Sequence, residues 1–78
     1  MSFNMNVAKS LVGRNVNLHL KDGSVIVNVL LKDVQKDEFT AKTFVKCVPY
    51  GKNKILNIPL KRIAWAELLN MSIILTNS

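Results

Sequence analysis

Hydrophobic and polar residues alternate at a period of two along Val16-Asn17-Leu18-His19-Leu20, the pattern of a strand with one buried and one wet face. After Lys21-Asp22-Gly23-Ser24 comes Val25-Ile26-Val27-Asn28-Val29-Leu30-Leu31, which predicts a second strand that is apolar on both sides. Val25, Val27, Val29 and Leu31 share one face, and Ile26 and Leu30 flank Asn28 on the other. Asp22-Gly23 is a preferred two-residue hairpin turn, because both central residues need positive φ, and it sets Lys21 opposite Ser24. A ribbon that is greasy front and back needs cover from a helix, a second sheet or another subunit.

The rest of the chain divides around that hairpin. Val7, Ala8, Leu11 and Val12 recur at helical spacing after possible caps at Ser2, Asn4 or Asn6, which predicts a short N-terminal helix stopped by Gly13. Residues 32–38 are charged around a lone Val34 and fit a tight loop or a strand running into solvent. Alternation resumes over residues 39–48, with Phe39, Ala41, Thr43, Val45 and Cys47 on one face and Thr40, Lys42, Phe44, Lys46 and Val48 on the other. Pro49-Tyr50-Gly51-Lys52-Asn53 has turn chemistry. Residues 54–60 then predict a fourth strand with Leu56, Ile58 and Leu60 aligned, kept short or at an edge because Pro59 lacks an amide donor. Residues 63–69 read as a helix by propensity or as a fifth strand. Met71, Ile73 and Leu75 alternate in residues 70–78, which fit a last strand or a tail that pairs with a neighbour.

Composition narrows the class. The chain has 78 residues, one domain's worth, and a chain this short buries only about 60 to 65 per cent of its unfolded surface. Oligomerisation would strengthen so small a core. One cysteine, Cys47, excludes an internal disulfide framework or a zinc knuckle and fits a buried core thiol. No apolar run approaches the roughly 20 residues that span a bilayer, and residues 1–12 lack a signal-peptide core. A cytoplasmic protein without a membrane partner is expected.

The formal charge of +6 is concentrated. Lys42, Lys46, Lys52, Lys54, Lys61 and Arg62 all fall in residues 39–66, which contain no Asp or Glu. Such a surface attracts nucleic-acid phosphate, although lysines spaced through strands also serve as solubilising edge protection. Tyr50, in a turn among lysines, and Phe44, between Lys42 and Lys46, are the candidates for base stacking. Trp65 is expected in the core or at a subunit contact. His19, the one histidine, lies on the outward face of the first strand with no second ligand for a metal. Asp33, Asp37 and Glu38, next to Lys32 and Lys36, read as a solvated turn. Paired catalytic carboxylates, a Gly-rich phosphate loop and a Ser/His/Asp set are all missing from the pattern. No enzyme, cofactor or small-molecule substrate is expected.

Gly13-Arg14-Asn15-Val16, Leu18-His19-Leu20-Lys21-Asp22-Gly23, the long second strand, the charged turn and Ile58-Pro59-Leu60-Lys61-Arg62-Ile63 together resemble the Sm-like family, which includes Hfq, over residues 7–67. The resemblance implies a mostly β fold, a small, strongly bent five-stranded Sm-like barrel with a short N-terminal helix. It also implies a homo-oligomeric ring closed by pairing the fourth strand of one subunit with the fifth of the next, and therefore a strand at residues 63–67. The chain departs from the family pattern at Val34 and Glu38, where an Asp and a base-binding Asn are usual. It departs again at Pro59-Leu60, the place of a common Arg-Gly pair, and at Asn28, the place of a small residue in the bent second strand. The bacterial Rho-inhibitor family Rof is a second small-barrel resemblance, through the LKDG-type hairpin and the basic lead into the fifth strand. The expected function is RNA or single-stranded nucleic-acid binding by a homo-oligomeric ring, through Lys42, Phe44, Lys46, Tyr50, Lys52, Lys54, Lys61 and Arg62. The alternatives are a protein-interaction or assembly module that has lost the base pocket, or a basic DNA-binding protein.

Overall fold

The computed structural model describes residues 3–69. It comprises α1 (Met5–Ser10), β1 (Asn15–Leu20), β2 (Val25–Lys36), β3 (Thr43–Pro49), β4 (Leu56–Pro59), a 3-10 turn at Leu60–Arg62, and β5 (Ile63–Leu68). The strands form one antiparallel sheet in the order β4-β3-β2-β1-β5. The strand or tail expected at residues 70–78 lies outside the described residues.

Topology and chain length together bend this sheet. β4 and β5 are its opposite edges, and in a flat sheet four strand spacings would hold them about 19 Å apart. Only Leu60–Arg62 joins them, and a 3-10 turn of that length rises about 6 Å. The sheet therefore curls until its edges approach at that end. Curling gives one concave side, which holds the core of Ala8, Val16, Leu18, Val29, Leu31, Val45, Cys47 and Ile63. The sheet is not closed into a barrel: β4 pairs with β3 alone and β5 with β1 alone among the described residues.

β2 accommodates the curl by changing which face its side chains address. Against β1 its register slips between Val16 and Leu18, where Asn28 adopts φ +52°. Against β3 it slips again between Leu31 and Asp33. Each slip is a bulge, one extra residue that breaks the period of two and sharpens the bend. Ile26 packs on the core, Val29 and Leu31 are fully buried in it, and Val34 packs on it again. The single face expected for Val25, Val27, Val29 and Leu31 is thus divided. Val25 and Val27, before the first bulge, are 43% and 67% exposed.

Side chains hold the first bulge. The Asn28 amide donates to Asn17 Oδ1 at 2.8 Å, and Asn15 Nδ2 donates to Asn28 Oδ1 at 3.2 Å. The Asn28 carbonyl accepts from the Tyr50 amide at 3.0 Å. Asparagine tolerates the left-handed region better than other side-chain-bearing residues, so the polar break in an apolar strand is a backbone requirement.

Three boundaries differ from expectation for local reasons. In the β1–β2 hairpin the Gly23 amide donates to the Leu20 carbonyl, and Leu20 pairs with Ser24. Of Asp22 and Gly23 only Gly23 has positive φ, at +93°. This is a three-residue connection with a left-handed glycine, not a two-residue turn, so Lys21 does not oppose Ser24. β3 begins at Thr43 rather than Phe39, because β2 runs on to Lys36 and residues 37–42 make the turn. Phe39, placed by alternation on the inner face, is 99% exposed there. β4 is limited to four residues, Leu60 having passed into the 3-10 turn.

Other expectations match. Asn4 is the N-cap of α1, its Oδ1 accepting from the Val7 amide at 2.9 Å. Gly13, at φ +86°, ends the helical segment and donates its amide to the Leu31 carbonyl. Residues 63–68 are a strand despite their helical propensity: Ile63 is buried in the sheet core, and pairing with β1 outweighs the weak intrinsic preference. Among the described residues no helix is long and apolar enough to cross a membrane.

Candidate nucleic-acid interface

The turn that leads into β3 is built by its own polar groups. The Asp37 amide donates to the Lys42 carbonyl at 2.7 Å, and the Ala41 amide to the Asp37 carbonyl at 2.8 Å. Asp37 Oδ1 also accepts from the Phe39 amide, an arrangement in which an Asx side chain substitutes for a backbone turn. Ala41 takes φ +60°. These bonds bring Lys42 to one end of β3.

Antiparallel pairing places a second cation at the same end. Phe44 opposes Pro59, so the chain leaves β4 beside the start of β3 and enters the 3-10 turn with Lys61 exposed. Between these two connections and the start of the helix lies a groove of about 390 Å³. Phe3, Met5, Pro59 and Leu60 give it apolar walls, Lys42 and Lys61 supply its charge, and no carboxylate lines it. An apolar floor flanked by ammonium groups suits a planar base attached to phosphate.

The other expected site residues fall into separate groups. Phe44 and Lys46 are half-buried on the outer side of β3, opposite Gln35 and Asp33 on β2 and Pro59 and Asn57 on β4. They line a second groove with Gln35, Lys36, Asp37 and Asn57, where the Asp37 carboxylate opposes phosphate. Tyr50, Lys52 and Lys54 are exposed in the β3–β4 connection, at the far end of β3 from Lys42. Tyr50 is 69% exposed. Arg62 lies in a third groove with Leu20, Lys21, Asp22 and Lys61. The eight residues do not form one continuous patch.

The outer face of β1 and β5 carries a different constellation. His19 and Trp65 are cross-strand partners with stacked rings, and Val25 opposes His19 on its other side. Glu67 Oε1 accepts from Asn17 Nδ2 at 3.2 Å and lies 3.4 Å from His19 Nε2. The Asn17 hydrogen bond, and after it that of His19, holds the Glu67 carboxyl below its ordinary range. Trp65 is therefore not a core residue of the single chain; it is 48% exposed. Among the described residues no group of three or more His, Cys, Asp or Glu is placed to hold a metal ion.

Sequence reasoning named Lys42 and Lys61 but missed Phe3 and Met5, the apolar walls between them. Helical spacing joins them to Val7 and Ala8 and so reads them as part of the helix's apolar side, not as walls of a site. Only the docking of α1 beside the β4–β5 connection brings them to the groove.

No protein-family model matches the chain, and neither curated proteins nor solved structures yield a match. The class defined by the fold and grooves is a mostly β protein, one five-stranded antiparallel sheet with one short helix and basic grooves at its connections.

Proposed function

We propose that this chain is a small Sm-like protein that assembles into a homo-oligomeric ring and binds RNA or another single-stranded nucleic acid. The observation that carries the reading is the carboxylate-free groove in which Lys42 and Lys61 flank Phe3, Met5, Pro59 and Leu60. Lysines neutralise phosphates and release counterions, while an apolar wall takes the face of a base with little sequence preference. Phe44 and Lys46, Arg62, and Tyr50, Lys52 and Lys54 would add separate phosphate or base contacts outside the groove. Among the described residues the outer edges of β4 and β5 have no strand partner, which supports the ring, because backbone donors and acceptors left along an edge pair readily with another copy's edge. Pairing β4 of one copy with β5 of the next would complete a barrel-like circuit. The reading is of a cytoplasmic binding protein and not of an enzyme.

Binding of oligo(U), oligo(A) and duplex DNA at two salt concentrations tests it, alongside the native mass. Single strands should bind at low salt and be released steeply as salt rises, and the mass should be a multiple of the chain's. Failure to bind any of the three at low salt removes nucleic acid from the reading; preference for the duplex makes this a basic DNA-binding protein.

A second reading, a protein-interaction module, is favoured by the exposed Trp65, Val25 and Val27 on the outer face. The absence of the family's base-binding Asn at Glu38 supports it too. Capture of a protein partner that survives nuclease treatment would select this reading.

A further inference from the structure

We propose that Lys21, together with Lys61 and Arg62, holds the phosphate backbone of the single strand where it leaves the apolar groove. This rests on the nucleic-acid reading above and adds to it a residue that charge counting along the chain sets aside, since Lys21 is followed directly by Asp22.

Folding separates that apparent neutral pair into different tasks. Asp22 Oδ1 accepts from both the Ser24 amide, at 2.8 Å, and the Ser24 hydroxyl, at 2.6 Å. The carboxylate closes its own hairpin, and the Ser24 hydrogen bonds, with a smaller contribution from the positive charge of Arg62 nearby, hold it below the ordinary range. Among the described residues no ion pair engages Lys21, Lys61 or Arg62. Against Asp22 these three cations still leave a surplus of two positive charges in the groove they share with Leu20.

The fold brings them together through backbone. The Lys21 amide donates to the Arg62 carbonyl at 2.9 Å, tying the tip of the β1–β2 hairpin to the β4–β5 connection. Leu20 pairs with Ile63 directly beside it. The third groove, about 520 Å³, lies where these two connections meet. Lys61 lines both this groove and the apolar one that contains Lys42. The cations make one track: Lys42, Lys61, then Arg62 and Lys21. A base in the apolar groove would have its backbone led across Lys61 to the hairpin, where Arg62 supplies a planar fork for a phosphate and Lys21 a point charge.

The test compares Lys21→Gln and Arg62→Gln with Lys9→Gln, an equal loss of charge on the exposed side of α1. Oligo(U) affinity is measured across a salt series with the full chain, and each variant's fold is checked by its unfolding midpoint. For single strands each phosphate contact contributes about 0.7 to the slope of log K against log salt. Lys21→Gln and Arg62→Gln should each lower the slope by about that amount, and Lys9→Gln should leave it at the wild-type value. Wild-type binding with an unchanged slope in Lys21→Gln, or an equal drop in Lys9→Gln, overturns the proposal and leaves the broader reading standing. Absence of wild-type binding overturns both.

Discussion

His19 lies flat against Trp65, with ring centroids 3.7 Å apart and planes inclined by 9°. The pair spans β1 and β5 on the solvent side of the sheet, away from the core side on which Leu18 and Ile63 are buried. Stacked aromatic pairs contribute about 0.5–1.5 kcal/mol beyond area burial. A double-mutant cycle of His19→Ala and Trp65→Ala, read by urea unfolding, should give a coupling energy in that range. Strict additivity would show that the rings merely lie side by side.

The bulge at Asn28 makes a sharper demand. A β-branched residue at φ +52° is strained, and a valine would also strip Asn15 Nδ2 of its acceptor. Asn28→Val should lower stability by about 1–3 kcal/mol. Asn28→Gly, which relieves φ but loses the same hydrogen bond, should cost less. Denaturant midpoints of the two variants check the order, and the reverse order would mean that the positive φ at residue 28 puts no strain on a β-branched side chain.

Cys47 is fully buried beneath β3, and burial pushes its thiol up to about 11. The native protein at pH 7 should therefore react with a thiol reagent only through unfolding, at a rate that rises with denaturant. Rapid stoichiometric labelling without denaturant would contradict the packing.

Acid should loosen the outer face. The hydrogen bonds from Ser24 to Asp22 and from Asn17 to Glu67 lower both carboxyl pKa values in the folded state. The stability they contribute is present above the ordinary carboxylate range and is lost as pH falls through the lowered folded values. The urea midpoint should decline on that limb, and Glu67→Gln should decline less than wild type between neutral pH and pH 2. An identical pH profile for Glu67→Gln would show that the Asn17 and His19 contacts to Glu67 are energetically silent.

The alternation in Val16-Asn17-Leu18-His19-Leu20 determined a half-buried strand, and Gly23 determined a reversal after it, because both depend on neighbours only a few residues away. The short helix, the turn before β4 and the burial of Cys47 were legible for the same reason. Lys42 and Lys61 could be named from charge alone, since an acid-free run is a property of the chain.

Tertiary structure decided what depends on distant partners. Val25 and Val27 look identical in pattern to Val29 and Leu31, yet they point the other way because a bulge against β1 intervenes at Asn28. Residues 63–68 carry helical propensity and become a strand because β1 offers a ladder and the core needs Ile63. Lys21 joins Arg62 only because β5 pairs with β1 and draws a hairpin tip against a connection far along the chain. Local sequence fixes the period of an element, whereas its face, and the cations it gathers, follow from the register of strands brought together by folding.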